Sequence, residues 1–161
     1  MSKLIPAICA FAVLGMASVV TPGFAAERPF AVFSGNWTGA GTVSVSNGTR
    51  ERLRCKARYS ISGEGSALSQ DLTCASDSYK FNVVSHIAES GGTLSGSWTE
   101  TSRNANGQIS GHVDARQISA IVQGVGFSAG VAIASRGNKQ VVEIRPTGTD
   151  ITNVSVTMSK E

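Results

Sequence analysis

Charge, aromatic rings and proline are all scarce in this chain of 161 residues, and each shortage excludes something. Charged residues make up 16% and the formal net charge is +3, too small an imbalance to demand a nucleic-acid partner. Hydrophobic residues at 41% nevertheless rule out a solvated disordered chain. Two Trp, two Tyr and six Phe are too few for the aromatic girdles of an outer-membrane barrel. The prolines are Pro6, Pro22, Pro29 and Pro146, so none interrupts the interior of a strand in the reading below. No segment carries a helical stripe. What is abundant is Gly, at 18 residues, together with Ser, Thr and Val, the composition of a many-turned β protein.

Residues 1–25 read as a secretory leader. Lys3 gives a positive start, Leu4 to Val20 form the apolar stretch, and Gly23-Phe24-Ala25 places small residues at −3 and −1, so cleavage is expected after Ala25. The apolar run is too short for a membrane anchor, and Cys9 lies inside it rather than at the cleavage site. The rest divides into a lead-in over 26–34 and one domain over 35–161. Export to the periplasm or beyond would leave Cys55 and Cys74, an even count that suggests a disulfide.

From Asn36 onward apolar and polar residues alternate, punctuated every eight to twelve residues by turn formers. Ten strands are expected near 36–46, 50–62, 67–75, 78–88, 93–101, 108–114, 117–123, 127–135, 139–146 and 152–159. The second is the clearest. Leu53, Cys55, Ala57, Tyr59 and Ile61 fall on one face, and Arg52, Arg54, Lys56, Arg58 and Ser60 on the other. A tight turn at Glu64-Gly65 sets Cys55 opposite Cys74, within disulfide reach. The same arithmetic pairs Val43 with Leu53 through a three-residue Asn47-Gly48-Thr49 loop. It also pairs Cys74 with Tyr79, Ile87 with Leu94, and Ile133 with Val142. Consecutive hairpins with one apolar face make a meander, which protects its edges best by closing into a soluble up-and-down barrel. A two-sheet sandwich is the alternative.

Phe33-Ser34-Gly35-Asn36-Trp37-Thr38 and Leu94-Ser95-Gly96-Ser97-Trp98-Thr99 share a pattern. The first resembles the Gly-x-Trp signature on the opening strand of lipocalins and their calycin relatives, small barrels that often bind apolar molecules. That resemblance implies that Trp37 plugs one end, with a basic residue from near the last strand, Arg145 or Lys160, packed across it. Gly35 to Gly41 also resembles the opening of nitrobindin-type haem barrels, but no haem-ligand histidine stands at a matching position. The overall pattern is similar to small exported proteins of Gram-negative bacteria.

Chemistry-bearing clusters are sparse. His86 and His112 fall on the polar face, and no set of His, Cys, Asp and Glu has metal-ligand spacing. No nucleophile elbow is present, and Glu51, Glu89, Glu100, Asp114 and Glu143 fall mostly on outer faces or turns. On these grounds the chain is expected to be no enzyme and to need no cofactor or metal. Two features remain. One is the inward face, where Trp37, Gly39, Gly41, Tyr59, Leu72, Phe81, Val83, Trp98, Phe127 and Val131 are the candidate lining of a cavity for a small apolar ligand. The other is the row Arg50, Arg52, Arg54, Lys56 and Arg58, a cationic ridge of roughly 27 Å. That ridge suits an anionic envelope component or a protein partner such as a secreted hydrolase to be inhibited.

Overall fold

Strict alternation obliges each strand to bury one face, and ten such strands solve the problem together by closing on themselves. The computed structural model describes residues 28–161; the leader expected over 1–25 lies outside them. The strands are β1 (Gly35–Val45), β2 (Arg50–Ser62), β3 (Ala67–Ala75), β4 (Lys80–Ser90), β5 (Thr93–Glu100), β6 (Ala105–Val113), β7 (Gln117–Gly124), β8 (Phe127–Arg136), β9 (Lys139–Thr147) and β10 (Ile151–Lys160). Each pairs antiparallel with its neighbour in sequence, and β10 returns to β1, so the meander is a closed barrel and the sandwich is excluded. A single 3-10 turn, Ala31–Phe33, precedes β1.

The two faces differ sharply. Along β2, Leu53, Cys55, Ala57 and Tyr59 are buried while Arg52, Arg54, Lys56, Arg58 and Ser60 are exposed. An apolar lining with charged and hydroxylated side chains outside is the inverse of a lipid-facing barrel.

Turns set the register, and here the structure corrects some expectations. The β2–β3 pairing stands as read, Cys55 opposite Cys74 and Ala57 opposite Leu72. The β8–β9 pairing also stands, with Ile133 opposite Val142. The first hairpin turns on Ser46, Asn47 and Gly48 rather than one residue later. The Val45 N–H bonds the Thr49 carbonyl, Gly48 takes φ +87°, and Val43 faces Glu51 instead of Leu53. The β3–β4 turn is centred on Asp77-Ser78, one residue later than expected, and closed by Ser76 N–H to Tyr79 O, so Cys74 faces Phe81. The β4–β5 turn is Gly91-Gly92, both at positive φ, so Ile87 faces Gly96. Every correction is a slip of two, which leaves each side chain on its expected face.

Closure needs a stagger between strands. Followed from partner to partner, Trp37 leads through Ala57, Leu72 and Val83 to Glu100, from one end of the barrel to the other. The seam between β1 and β10 is drawn especially close: a Cβ at Gly41 would overlap the Ser155 carbonyl oxygen, and one at Gly39 that of Thr157. These two glycines admit the neighbouring backbone, so their smallness is used by the wall itself.

Cys55 and Cys74 form a disulfide with Cα atoms 4.1 Å apart, both buried in the wall. In the chain-entropy account, a bridge closing a loop of this size stabilises by about 3 kcal/mol. We therefore expect Cys55→Ala/Cys74→Ala to keep the barrel's circular dichroism but lose about 3 kcal/mol in urea unfolding. A loss below about 0.5 kcal/mol would refute that role for the bridge.

Candidate functional site

The interior divides into two halves of different character. At the end where β1 begins, residues 28–34 fold back as a plug. Phe30, Phe33 and Trp37 are fully buried, and the Trp37 indole N–H donates to the Phe33 carbonyl at 2.8 Å. Lys160, on β10, sets its ammonium 5.7 Å from the centre of the Trp37 ring, a cation–π contact. Of the two basic residues that the resemblance nominated, Lys160 is the one that crosses Trp37. Leu68, Leu94 and Met158 fill the rest of this end.

Polar groups on the same floor are satisfied within it. The Tyr59 hydroxyl donates to Gln140 Oε1 at 3.1 Å, and Gln140 Nε2 donates to Ser135 Oγ at 3.0 Å. Burial pushes the Tyr59 hydroxyl far above its ordinary range despite its hydrogen bonds to Gln140 and Gln70, so it stays a donor.

The other half is looser. Leu72, Phe81, Val83, Val122, Phe127, Val131 and Ile144 all occupy inward positions, yet each keeps partial exposure. In a closed barrel such exposure faces the interior or its mouth. Trp98 is buried in the wall, its indole N–H bonded to the Gln123 carbonyl at 3.0 Å and its ring edge-on to Phe127 at 5.5 Å. Tyr79 stacks on Phe81 with centroids 6.2 Å apart and donates to Asp150 Oδ2 at 2.9 Å. That bond ties the β3–β4 loop to the β9–β10 loop across the tips of β1 and β2. Hydrogen bonding to Asp150 raises the Tyr79 hydroxyl, which keeps the tie protonated.

The candidate lining residues thus separate by height. Trp37 and Tyr59 belong to the packed floor, Gly39 and Gly41 to the β1–β10 seam, and Trp98 to the wall. Leu72, Phe81, Val83, Phe127 and Val131 belong to the half whose inward side chains keep partial exposure. The plugging role of Phe30 and Phe33, the Gln140–Ser135 pair and the Tyr79–Asp150 tie were not in the reading of the sequence. An aromatic pair spaced by three immediately before Gly-x-Trp was the available signal for the plug.

Two carboxylates also point inward at the mouth. Glu51 accepts from Ser76 Oγ at 2.7 Å and from the Ser78 N–H at 2.9 Å; the bonds from Ser78 and then Ser76 hold its carboxyl below the ordinary value. Glu100, 6% exposed, contradicts the expectation of an outer or solvated turn position for most of the acids. It accepts from the Asn82 N–H, from Ser102 Oγ and from the Arg103 N–H. Burial raises its carboxyl, but these bonds together outweigh it and the net shift is downward. The Arg103 guanidinium, 3.8 Å from Glu100, also lies over the Phe81 ring. Both histidines are exposed on the outer face. Among the described residues no group of three or more His, Cys, Asp and Glu gathers to hold a metal.

The fold is a closed antiparallel meander, lipocalin-like in architecture, plugged at one end by a Trp under a basic residue. Among solved structures, an S-type phycobiliprotein lyase, CPES from Guillardia theta, matches it with a TM-score of 0.61 at 9% identity, over 86% of this chain and 94% of that one. No protein-family model and no curated protein matches the sequence. The comparison corrects the expectation that the chain is no enzyme. The matched barrel is that of a lyase, so neither the fold nor the lack of a familiar catalytic motif excludes enzymatic activity.

The Glu100 network predicts a particular acid response. Its folded-state pKa is lowered, so its stabilisation is complete above the unfolded carboxyl value and is lost as pH falls through the folded one. Glu100→Gln should cost about 1–2 kcal/mol at neutral pH, with the gap from the parent closing below about pH 4. Thermal unfolding across pH 7 to 2 reads this, and a gap independent of pH would assign the effect to shape instead.

Proposed function

We propose that this barrel is an exported binder of a small apolar ligand, which enters at the end opposite Trp37 and rests against Leu72, Val83, Val131 and Ile144. One observation carries the reading. The apolar interior is sealed at the Trp37 end but retains exposed surface in its other half, a waste of burial unless something covers it. The lipocalin-like architecture supports it, and so does the disulfide, a bond of oxidising compartments. With the leader removed near Ala25, the lead-in would be free to fold back as the plug. The match to a lyase leaves open that the ligand is chemically altered while bound, with Glu51 and Glu100 the acids nearest the entrance.

A neutral apolar fluorophore such as N-phenyl-1-naphthylamine tests the site without responding to surface charge. It should brighten on binding, and Val131→Trp or Leu72→Trp, which fill the accessible half, should weaken it at least tenfold. Equal affinity for the filled variants, or no brightening at all, would sink the proposal. Mass spectrometry of compounds recovered from the protein then identifies the natural ligand and any change in it.

A further inference from the structure

The outer wall opposite the disulfide carries a second kind of chemistry, independent of the cavity. Arg50, Arg52, Arg54, Lys56 and Arg58 are all exposed along β2, about 6.8 Å apart on a common face. Of the 14 Lys and Arg in the chain, these five stand within nine residues, so the modest net charge is concentrated on a single strand. Among the described residues none of them makes a salt bridge. Their cross-strand neighbours on β1 are Asn36, Thr38, Ala40, Thr42 and Ser44, all uncharged. On β3 the corresponding row is Asp71, Thr73 and Ala75, with a single acid, Asp71 opposite Arg58. Beyond β1, the outer row of β10 is Asn153, Ser155, Thr157 and Ser159. A shallow groove runs beside Arg50 and Arg52, bordered by Ala40, Gly41 and Thr42 and by Glu51, whose carboxylate is taken up by Ser76 and Ser78.

We infer that this face binds a flexible acidic polysaccharide, with sulfate or carboxylate groups along the chain meeting the five cations in turn. Charge complementarity requires a polyanion. The flanking hydroxyls and amides suit sugar hydroxyls, which need donors and acceptors beside the charges. Single-stranded nucleic acid fits less well, because such sites add aromatic platforms for bases and this face has no aromatic side chain. A membrane surface fits less well too. The face offers no large apolar side chain to insert, and strands in a closed barrel run at about 35–45° to its axis, so the ridge curves away from a plane. A flexible chain can follow that curve. Beneath Arg54 and Lys56 the Cys55–Cys74 bridge pins β2 to β3, so the cations are presented on a fixed strand.

Heparin fragments and polygalacturonate, titrated by calorimetry against the disulfide-bonded protein, separate sulfate from carboxylate recognition. Oligo(dT) and phosphatidylglycerol vesicles are the competing arms. At low ionic strength at least one glycan should bind, and binding should vanish by ~0.5 M salt. Arg52→Glu/Arg54→Glu/Arg58→Glu should weaken it about a hundredfold, at about fivefold per contact. Arg52→Lys/Arg54→Lys/Arg58→Lys should keep most of it. Arg52→Gln/Arg54→Gln/Arg58→Gln replaces the reversal variant if that one fails to fold, with unfolding midpoints as the control. Absence of binding to both glycans, indifference to the substitutions, or tighter binding to oligo(dT) or vesicles would overturn the inference. The fluorophore site is untouched by any of these outcomes.

Discussion

Everything in this molecule depends on the seam where β10 meets β1. Nine hairpins would otherwise leave two free edges, each a row of unpaired backbone groups open to another chain. Pairing from Trp37–Lys160 to Val43–Val154 removes both edges and converts a meander into an enclosed interior. The approach is so close that Gly39 and Gly41 have no room for a Cβ. The seam also delivers Lys160 to the face of Trp37, so the act that closes the wall completes the plug. An end sealed this way leaves burial to be settled at the opposite end, and the proposed ligand site rests on that asymmetry.

Parity was the most legible property of the sequence, and register the least. Strands of period two announce which side chains share a face, and all ten were readable with ends within about three residues. Ser76 to Tyr79 and Gly91-Gly92 are turns whose position cannot be read from composition, since several nearby residues suit a tight turn equally well. Each error came out even because an odd slip would have turned a strand inside out, against its own pattern. The Cys55–Cys74 pair, buried and opposed, had both parity and spacing in its favour.

Height within the barrel was not legible at all. Alternation says that Tyr59 and Leu72 both face inward, but not that one lies on a packed floor and the other beside accessible space. That distinction depends on the stagger accumulated round ten strands and on Phe30 and Phe33, which precede the alternating region. The glycines misled for a related reason. Read as missing volume, Gly39 and Gly41 suggest a void, whereas their missing side chains are occupied by the neighbouring strand. Glu100 shows the converse: a carboxylate at a strand end reads as a solvated turn, yet Ser102 and Arg103 of that turn and the Asn82 N–H of β4 hold it inward.

β2 brings these threads to one strand with two independent faces. Inward it contributes Leu53, Ala57 and Tyr59 to the wall and floor, and Cys55 to the bridge; outward it holds the cationic row. Because successive side chains point to opposite sides, a charge change at Arg54 alters the outer field without touching the cavity, and a volume change at Ala57 does the reverse. Backbone position is the only thing the faces share, and the disulfide fixes it. The two proposed recognition surfaces therefore share one strand of 13 residues, one for apolar shape and one for charge. Each can change in sequence without loss of the other so long as the alternation persists.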